Sequence, residues 1–225
     1  MCGRFTVRSA PRVKLPGVRD PSLPFEARYN IAPTQDVFAI ADLGSGLELT
    51  KLSWGLISAH GNDTSKRFIN VRAETIDVKP SFSESFRRRR CLVLADGFFE
   101  WKRAGKSKQP YYFQMTDESP FAFAGIWDRS GSGERIATCA IITTTANETL
   151  EPIHHRMPVI MASENYHVWL DPKTDFASLR SLLVPFPAST MSAHPVSTAV
   201  NFAQNDGPEV IKREDCEIGK TLSLF

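Results

Sequence analysis

Cysteine is scarce. The 225 residues hold four, at positions 2, 91, 139 and 216, with no Cys-x-x-Cys pair and no tight Cys/His spacing. That excludes a zinc module and argues against a disulfide framework in a chain of this size. No apolar run is long enough to span a membrane. No charged segment followed by an apolar core marks a signal peptide. Neither sign of charge dominates: the formal net charge is +2. Composition therefore excludes a strongly basic nucleic-acid protein, and any polyanion site must be a local patch. Repeats and long low-complexity tracts are also absent. The expectation is a reduced, soluble, cytoplasmic protein, monomeric and without metal or cofactor.

What is present is a core. The hydrophobic content of 42% suits one globular domain, expected here over residues 1–225 with the last ten forming a less ordered tail. Alternating or apolar runs predict strands at Val37–Ala41, Leu47–Ile57, Cys91–Trp101, Tyr111–Met115, Phe121–Trp127 and Ile136–Thr144. Val13–Pro24 reads as loop. Ser81-Phe82-Ser83-Glu84 resembles a capping box, with Phe82 and Phe86 on one helical face and Arg87–Arg90 at the C-terminal end. Further helices are expected at Glu164–Leu170 and Phe176–Leu183, separated by Pro172. Strands outnumber helices and do not alternate with them. The fold class is therefore α+β, on a mainly antiparallel sheet or open barrel with a few flanking helices.

Six segments carry candidate chemistry. The chain opens Met1-Cys2-Gly3-Arg4-Phe5. Removal of Met1 would leave Cys2 with a thiol and an α-amine on adjacent carbons. Such a 1,2-aminothiol captures aldehydes as a five-membered thiazolidine, and both groups titrate near ~8–8.5. Asn70-Val71-Arg72-Ala73-Glu74-Thr75, read as a strand, places Asn70, Arg72 and Glu74 on one face, as any half-exposed strand also would. In Gly97-Phe98-Phe99-Glu100-Trp101 the carboxylate is either a surface group paired with Lys102 or a group walled off by aromatics, with a raised pKa suited to acid–base work. His154-His155-Arg156-Met157-Pro158 offers proton transfer and phosphate binding, or simply a polar turn before a strand. Ala27–Thr34 reads as a polar and aromatic loop, and Asn205-Asp206-Gly207 as a turn.

Taken in order, Met-Cys-Gly-Arg-Phe, Arg-Tyr-Asn-Ile-Ala-Pro-Thr at 28–34, Asn-Val-Arg-Ala-Glu-Thr, Gly-Phe-Phe-Glu-Trp, His-His-Arg-Met-Pro and Asn-Asp-Gly-Pro-Glu resemble the SRAP (SOS response-associated peptidase) family along nearly the whole chain. The resemblance implies binding of single-stranded DNA that contains an abasic site. It implies a reversible thiazolidine crosslink formed by the mature N-terminal cysteine with the ring-opened deoxyribose. Carried over, Cys2 is the nucleophile, and Asn70 helps hold the opened sugar and the amine. Glu100 moves protons in formation and reversal, and His154 sits near the sugar oxygens. His155 falls at a variable position. Arg4, Arg72 and Arg156 would contact phosphates, Asn30 and Pro33 would border the DNA, and Trp54 would stack or wedge beside the lesion. Strand cleavage through an unclosed imine is an implied side activity. An N-terminal-nucleophile autopeptidase and a non-covalent single-strand binding module are the alternatives.

Overall fold

The computed structural model describes residues 2–10, 15–58, 66–105, 107–130 and 136–214. Met1, Cys216, the expected C-terminal tail and the start of the Val13–Pro24 loop lie outside the described residues. Thirteen strands are present among those described. They are β1 (Arg4–Val7), β2 (Arg28–Ile31), β3 (Asp36–Asp42), β4 (Leu47–Trp54), β5 (Asn70–Arg72), β6 (Arg90–Ala95) and β7 (Gly97–Ala104). Then follow β8 (Ser107–Met115), β9 (Phe121–Ser130), β10 (Ile136–Thr145), β11 (Arg156–Pro158), β12 (Ile160–Met161) and β13 (Met191–Pro195). Three short helices flank them: α1 (Pro80–Arg88), α2 (Tyr166–Leu170) and α3 (Phe176–Ser181).

The strands form two sheets. One has the order β13-β8-β7-β1-β2 and is antiparallel throughout. In the other, β3, β4, β10, β9 and β6 pair in a closed ring. Strands β5 and β11 extend from β10, and β12 from β9. Among the described strands, only the β10–β4 and β10–β5 pairings are parallel. The fold is thus α+β and dominated by antiparallel strands, and the barrel-like part closes on itself.

Apolar alternation explains the layering. Cys91 and Val93 of β6, and Cys139 and Ile141 of β10, point into a core shared with Phe5, Phe98 and Phe113 of the first sheet. Leu92, Ala140 and Ile142 point the other way, against Phe82 and Phe86 of α1, Trp169 of α2 and Leu179 of α3. Strands buried on both faces read as continuous hydrophobic runs. Arg90 is buried at the start of β6 and bonds four backbone carbonyls, those of Phe86, Arg87, Trp169 and Asp171. It thereby satisfies the C-terminal ends of two helices, which otherwise leave carbonyls orphaned.

Four local expectations are corrected. The run Cys91–Trp101 is not one strand: it breaks at Asp96, and its halves belong to different sheets. Asp96 is buried there because it accepts from Thr6 Oγ1 at 2.5 Å and the Arg8 amide at 2.5 Å, with the Arg8 guanidinium 3.2 Å away. The capping box does not form: Lys79 is the N-cap, without a side-chain hydrogen bond, and Pro80 occupies the first turn. Ala27–Thr34 is not all loop, since β2 runs through it. Glu74 leaves the strand line of Asn70 and Arg72, because the chain turns into a 3-10 helix at Ala73.

Candidate active site

β1 lies between β2 and β7, with Arg4 opposite Phe99 and Phe5 opposite Phe98. This register brings the start of the chain to the part of β7 that carries Glu100. Cys2 is completely buried, and its thiol donates to the Arg4 carbonyl at 3.7 Å. From the other sheet, Asn70 of β5 donates its Nδ2 to the Cys2 carbonyl at 2.8 Å. Asn70 Oδ1 is also buried and has no partner among the described residues, so it is available as an acceptor. Burial, and after it the negative charge of Glu100, pushes the Cys2 thiol far above its ordinary range. The two side chains are therefore electrostatic neighbours.

Of the two readings of Glu100, the walled-off one holds. It is 2% exposed, faces Tyr111 across the β7–β8 pair, and its carboxyl pKa is raised by burial. His154 shares a cleft of about 490 Å³ with Glu100, Arg4, Trp101, Arg103, Lys108 and Asn201. His154 Nδ1 lies 3.0 Å from the Arg156 backbone nitrogen and 3.1 Å from its carbonyl oxygen, so it accepts from the one or donates to the other according to its tautomer. Burial lowers the His154 pKa, with Arg156 and Arg103 adding positive charge nearby. The lowered pKa favours the neutral ring, which presents one N–H donor. His155 is exposed and stacks on His154 with centroids 4.5 Å apart.

The structure brings Cys2, Asn70, Glu100, His154 and Arg4 together. Arg72 is exposed at the end of β5, two residues from Asn70. Pro33 is half-exposed in the turn after β2, ahead of Thr34 at φ 75°. Three expected DNA contacts have other roles. Trp54 is wholly buried, edge-on to Phe5 with centroids 5.1 Å apart, and its Nε1 donates to the Ile69 carbonyl. It cannot stack on a base while it fills the core. Asn30 is also buried, and its Nδ2 donates to the carbonyls of Val200, Phe202 and Asn205. It holds the C-terminal segment instead of bordering DNA. Arg156 is 7% exposed and reaches Glu74 with both terminal nitrogens, the Nη2–Oε2 contact being 3.0 Å. It also bonds the Thr143 carbonyl. With its fork occupied, it ties β11 to β10 and to the turn after β5.

Two structural roles were not legible beforehand. Asp206 accepts from the Tyr29 and Asn30 amides, each at 2.6 Å, and pairs with Arg28. The Asn-Asp-Gly-Pro-Glu segment is therefore a clasp on β2. Gly97 leaves room for Tyr112, whose hydroxyl lies 2.0 Å from where a Cβ would stand. The cleft cations Arg103 and Lys108 were also missed, because nothing in a Lys/Arg-rich hairpin signals that it opens toward a glutamate. Among the described residues no group of three or more His, Cys, Asp or Glu could hold a metal ion, and no helix is long and apolar enough to cross a membrane.

Comparison with known proteins follows the same lines. Residues 1–203 match the family model described as SOS response associated peptidase (SRAP). The chain is 42% identical over 222 residues to the abasic site processing protein YoqW of Bacillus subtilis, covering 94% of this chain and 99% of that one. It is 30% identical over 222 residues to the abasic site processing protein YedK of Escherichia coli, with the same coverage of 94% and 99%. A crystal structure of a Bacteroides thetaiotaomicron protein superposes with a TM-score of 0.75 at 34% identity, covering 83% of this chain and 85% of that one.

Proposed function

The chain belongs to the SRAP family, and from that premise we propose that it captures abasic sites in single-stranded DNA as a reversible thiazolidine crosslink through Cys2, once Met1 is removed. The observation that supports this most is the seating of Cys2. Asn70 holds its carbonyl, the charge of Glu100 acts on its thiol, and His154 shares the adjoining cleft with Glu100 and Arg4.

The chemistry follows from these groups. The ring-opened sugar offers an aldehyde. The Cys2 amine adds to it, and loss of water gives an imine. The thiol then adds across the C=N bond: sulfur bonds to carbon and the proton ends on nitrogen, which closes the thiazolidine. Burial disfavours the thiolate, which favours addition of the amine before the thiol. Glu100, whose carboxyl pKa is raised by burial, can take and return protons during the reaction. His154, in the adjoining cleft, can donate its ring N–H to the sugar oxygen released on ring opening. Fixing both nucleophiles on one residue can supply up to ~7–11 kcal/mol of the barrier reduction. An abasic nucleotide has no base pair to break, so exposing it costs little. Arg4 and Arg72 would contact the adjacent phosphates. If the imine is not closed, β-elimination cleaves the strand, a lyase side reaction.

The test is a denaturing gel after incubation with abasic single-stranded DNA. A heat-stable shifted band is expected from the parent, and none from Cys2→Ala. A band that persists in Cys2→Ala without reductant would overturn the reading.

A further inference from the structure

The hairpin β7–β8 places Arg103 directly opposite Lys108. Like charges facing each other across an antiparallel pair destabilise it. Both side chains are exposed, and among the described residues neither has an ion-pair partner. Both also line the cleft that contains Glu100 and His154. Within that cleft they join Arg4, whose guanidinium donates to the Gly3 carbonyl while its buried Nε has no partner among the described residues. Three cations thus line a cleft whose one carboxylate-bearing lining residue is the buried Glu100, turned by strand alternation to the opposite face of β7 from Arg103.

Strand geometry gives the cleft a direction. Trp101 and Arg103 point to one face of β7, with Lys108 beside Arg103. Trp101 is fixed by its Nε1 donating to Asn201 Oδ1 at 2.7 Å. A rigid aromatic followed by a cation pair is the lining expected of a groove that follows a single strand. Arg103 is three residues beyond Glu100, roughly 10 Å along the strand. That is too far to touch the reacting sugar and near enough to meet a neighbouring phosphate.

We propose that Arg103 and Lys108 form a phosphate subsite, distinct from the catalytic residues, that grips the DNA backbone flanking the abasic nucleotide and leads the strand past His154. The inference deepens the proposed function, because it takes the occupant of the cleft to be single-stranded DNA. An anion between the two side chains would convert their mutual repulsion into two charge-assisted contacts. The subsite carries no base recognition, so it holds any sequence.

The test separates this claim from the covalent chemistry. Fluorescence anisotropy with a short, undamaged, fluorescein-labelled oligothymidylate measures affinity over a salt series. The Arg103→Gln/Lys108→Gln double variant is compared with the parent. A second double variant, Lys79→Gln/Lys173→Gln, removes the same charge from exposed positions outside the cleft. The slope of log K against log salt is about −0.7 per phosphate neutralised on single strands, so the cleft variant should flatten it by about 1.4. The control pair should leave the slope unchanged. An unchanged slope in the cleft variant overturns the subsite, as does an equal flattening in the control. A changed slope without any adduct on abasic DNA would instead sink the covalent reading and leave the subsite standing.

Discussion

The hydrogen bond between Asn70 and the Cys2 carbonyl ties the start of the chain to the second sheet at the reacting residue, and its loss has a calculable effect. In Asn70→Ala the donor at 2.8 Å disappears and a buried carbonyl is left without its partner. An unsatisfied buried polar group costs about 1–3 kcal/mol. If that cost falls on the aligned position of Cys2, crosslinking slows by roughly 5- to 150-fold. Asn70→Asp keeps the shape of the side chain but turns an oxygen toward the carbonyl, replacing attraction with repulsion. It should be slower than the alanine variant at neutral pH. The assay is a single-turnover time course on abasic single-stranded DNA, resolved on a denaturing gel, with thermal melts to confirm folding. The concentration of DNA needed for half-maximal rate should change little, because Asn70 acts on alignment. A natively folded Asn70→Ala that crosslinks as fast as the parent would refute the positioning argument.

Three further outcomes follow from other parts of the structure. Burial raises the Glu100 pKa on folding, so its contribution to stability is full below the ordinary carboxylate value of 4.5 and is lost as pH rises through the raised value. Glu100→Gln removes that loss: its melting temperature should exceed the parent's increasingly as pH rises through this window and match it in acid, while crosslinking falls by about 10²-fold or more. A gap that narrows with rising pH would contradict the burial argument. Gly97→Ala would put a Cβ 2.0 Å from the Tyr112 hydroxyl, in a network with Thr6 and Asp96, and should destabilise the chain by about 1–3 kcal/mol in urea titration. Asp206→Ala strands the Tyr29 and Asn30 amides and Arg28, at a cost of about 1.5–3 kcal/mol, with faster hydrogen exchange at those two amides as its local signature.

The elements that sequence made legible were those with strong local pattern. Phe82 and Phe86 share the buried face of α1, and the alternating runs of β3, β8, β9 and β10 lie within a few residues of their expected bounds. What stayed hidden depends on distant partners. The break at Asp96 follows from contacts with Thr6 and Arg8, some ninety positions away in the chain. Nothing local distinguishes Arg156 from a phosphate-binding arginine, because Glu74 lies 82 residues before it. Trp54 ends a strand whose apolar positions do not reveal which face is covered, and only the packing of Phe5 decides it. The candidate site was legible because its motifs stand in a recognisable order, although their meeting point requires β1 to insert between β2 and β7.

The most direct test concerns the bond itself. Purified protein is incubated with abasic single-stranded DNA without reductant, and the adduct is digested and measured by mass spectrometry. The account predicts a peptide that begins at Cys2, lacks Met1, and carries the deoxyribose with loss of one water, its amine and thiol both consumed. An adduct placed on a lysine, or one formed equally by Cys2→Ala, would contradict it.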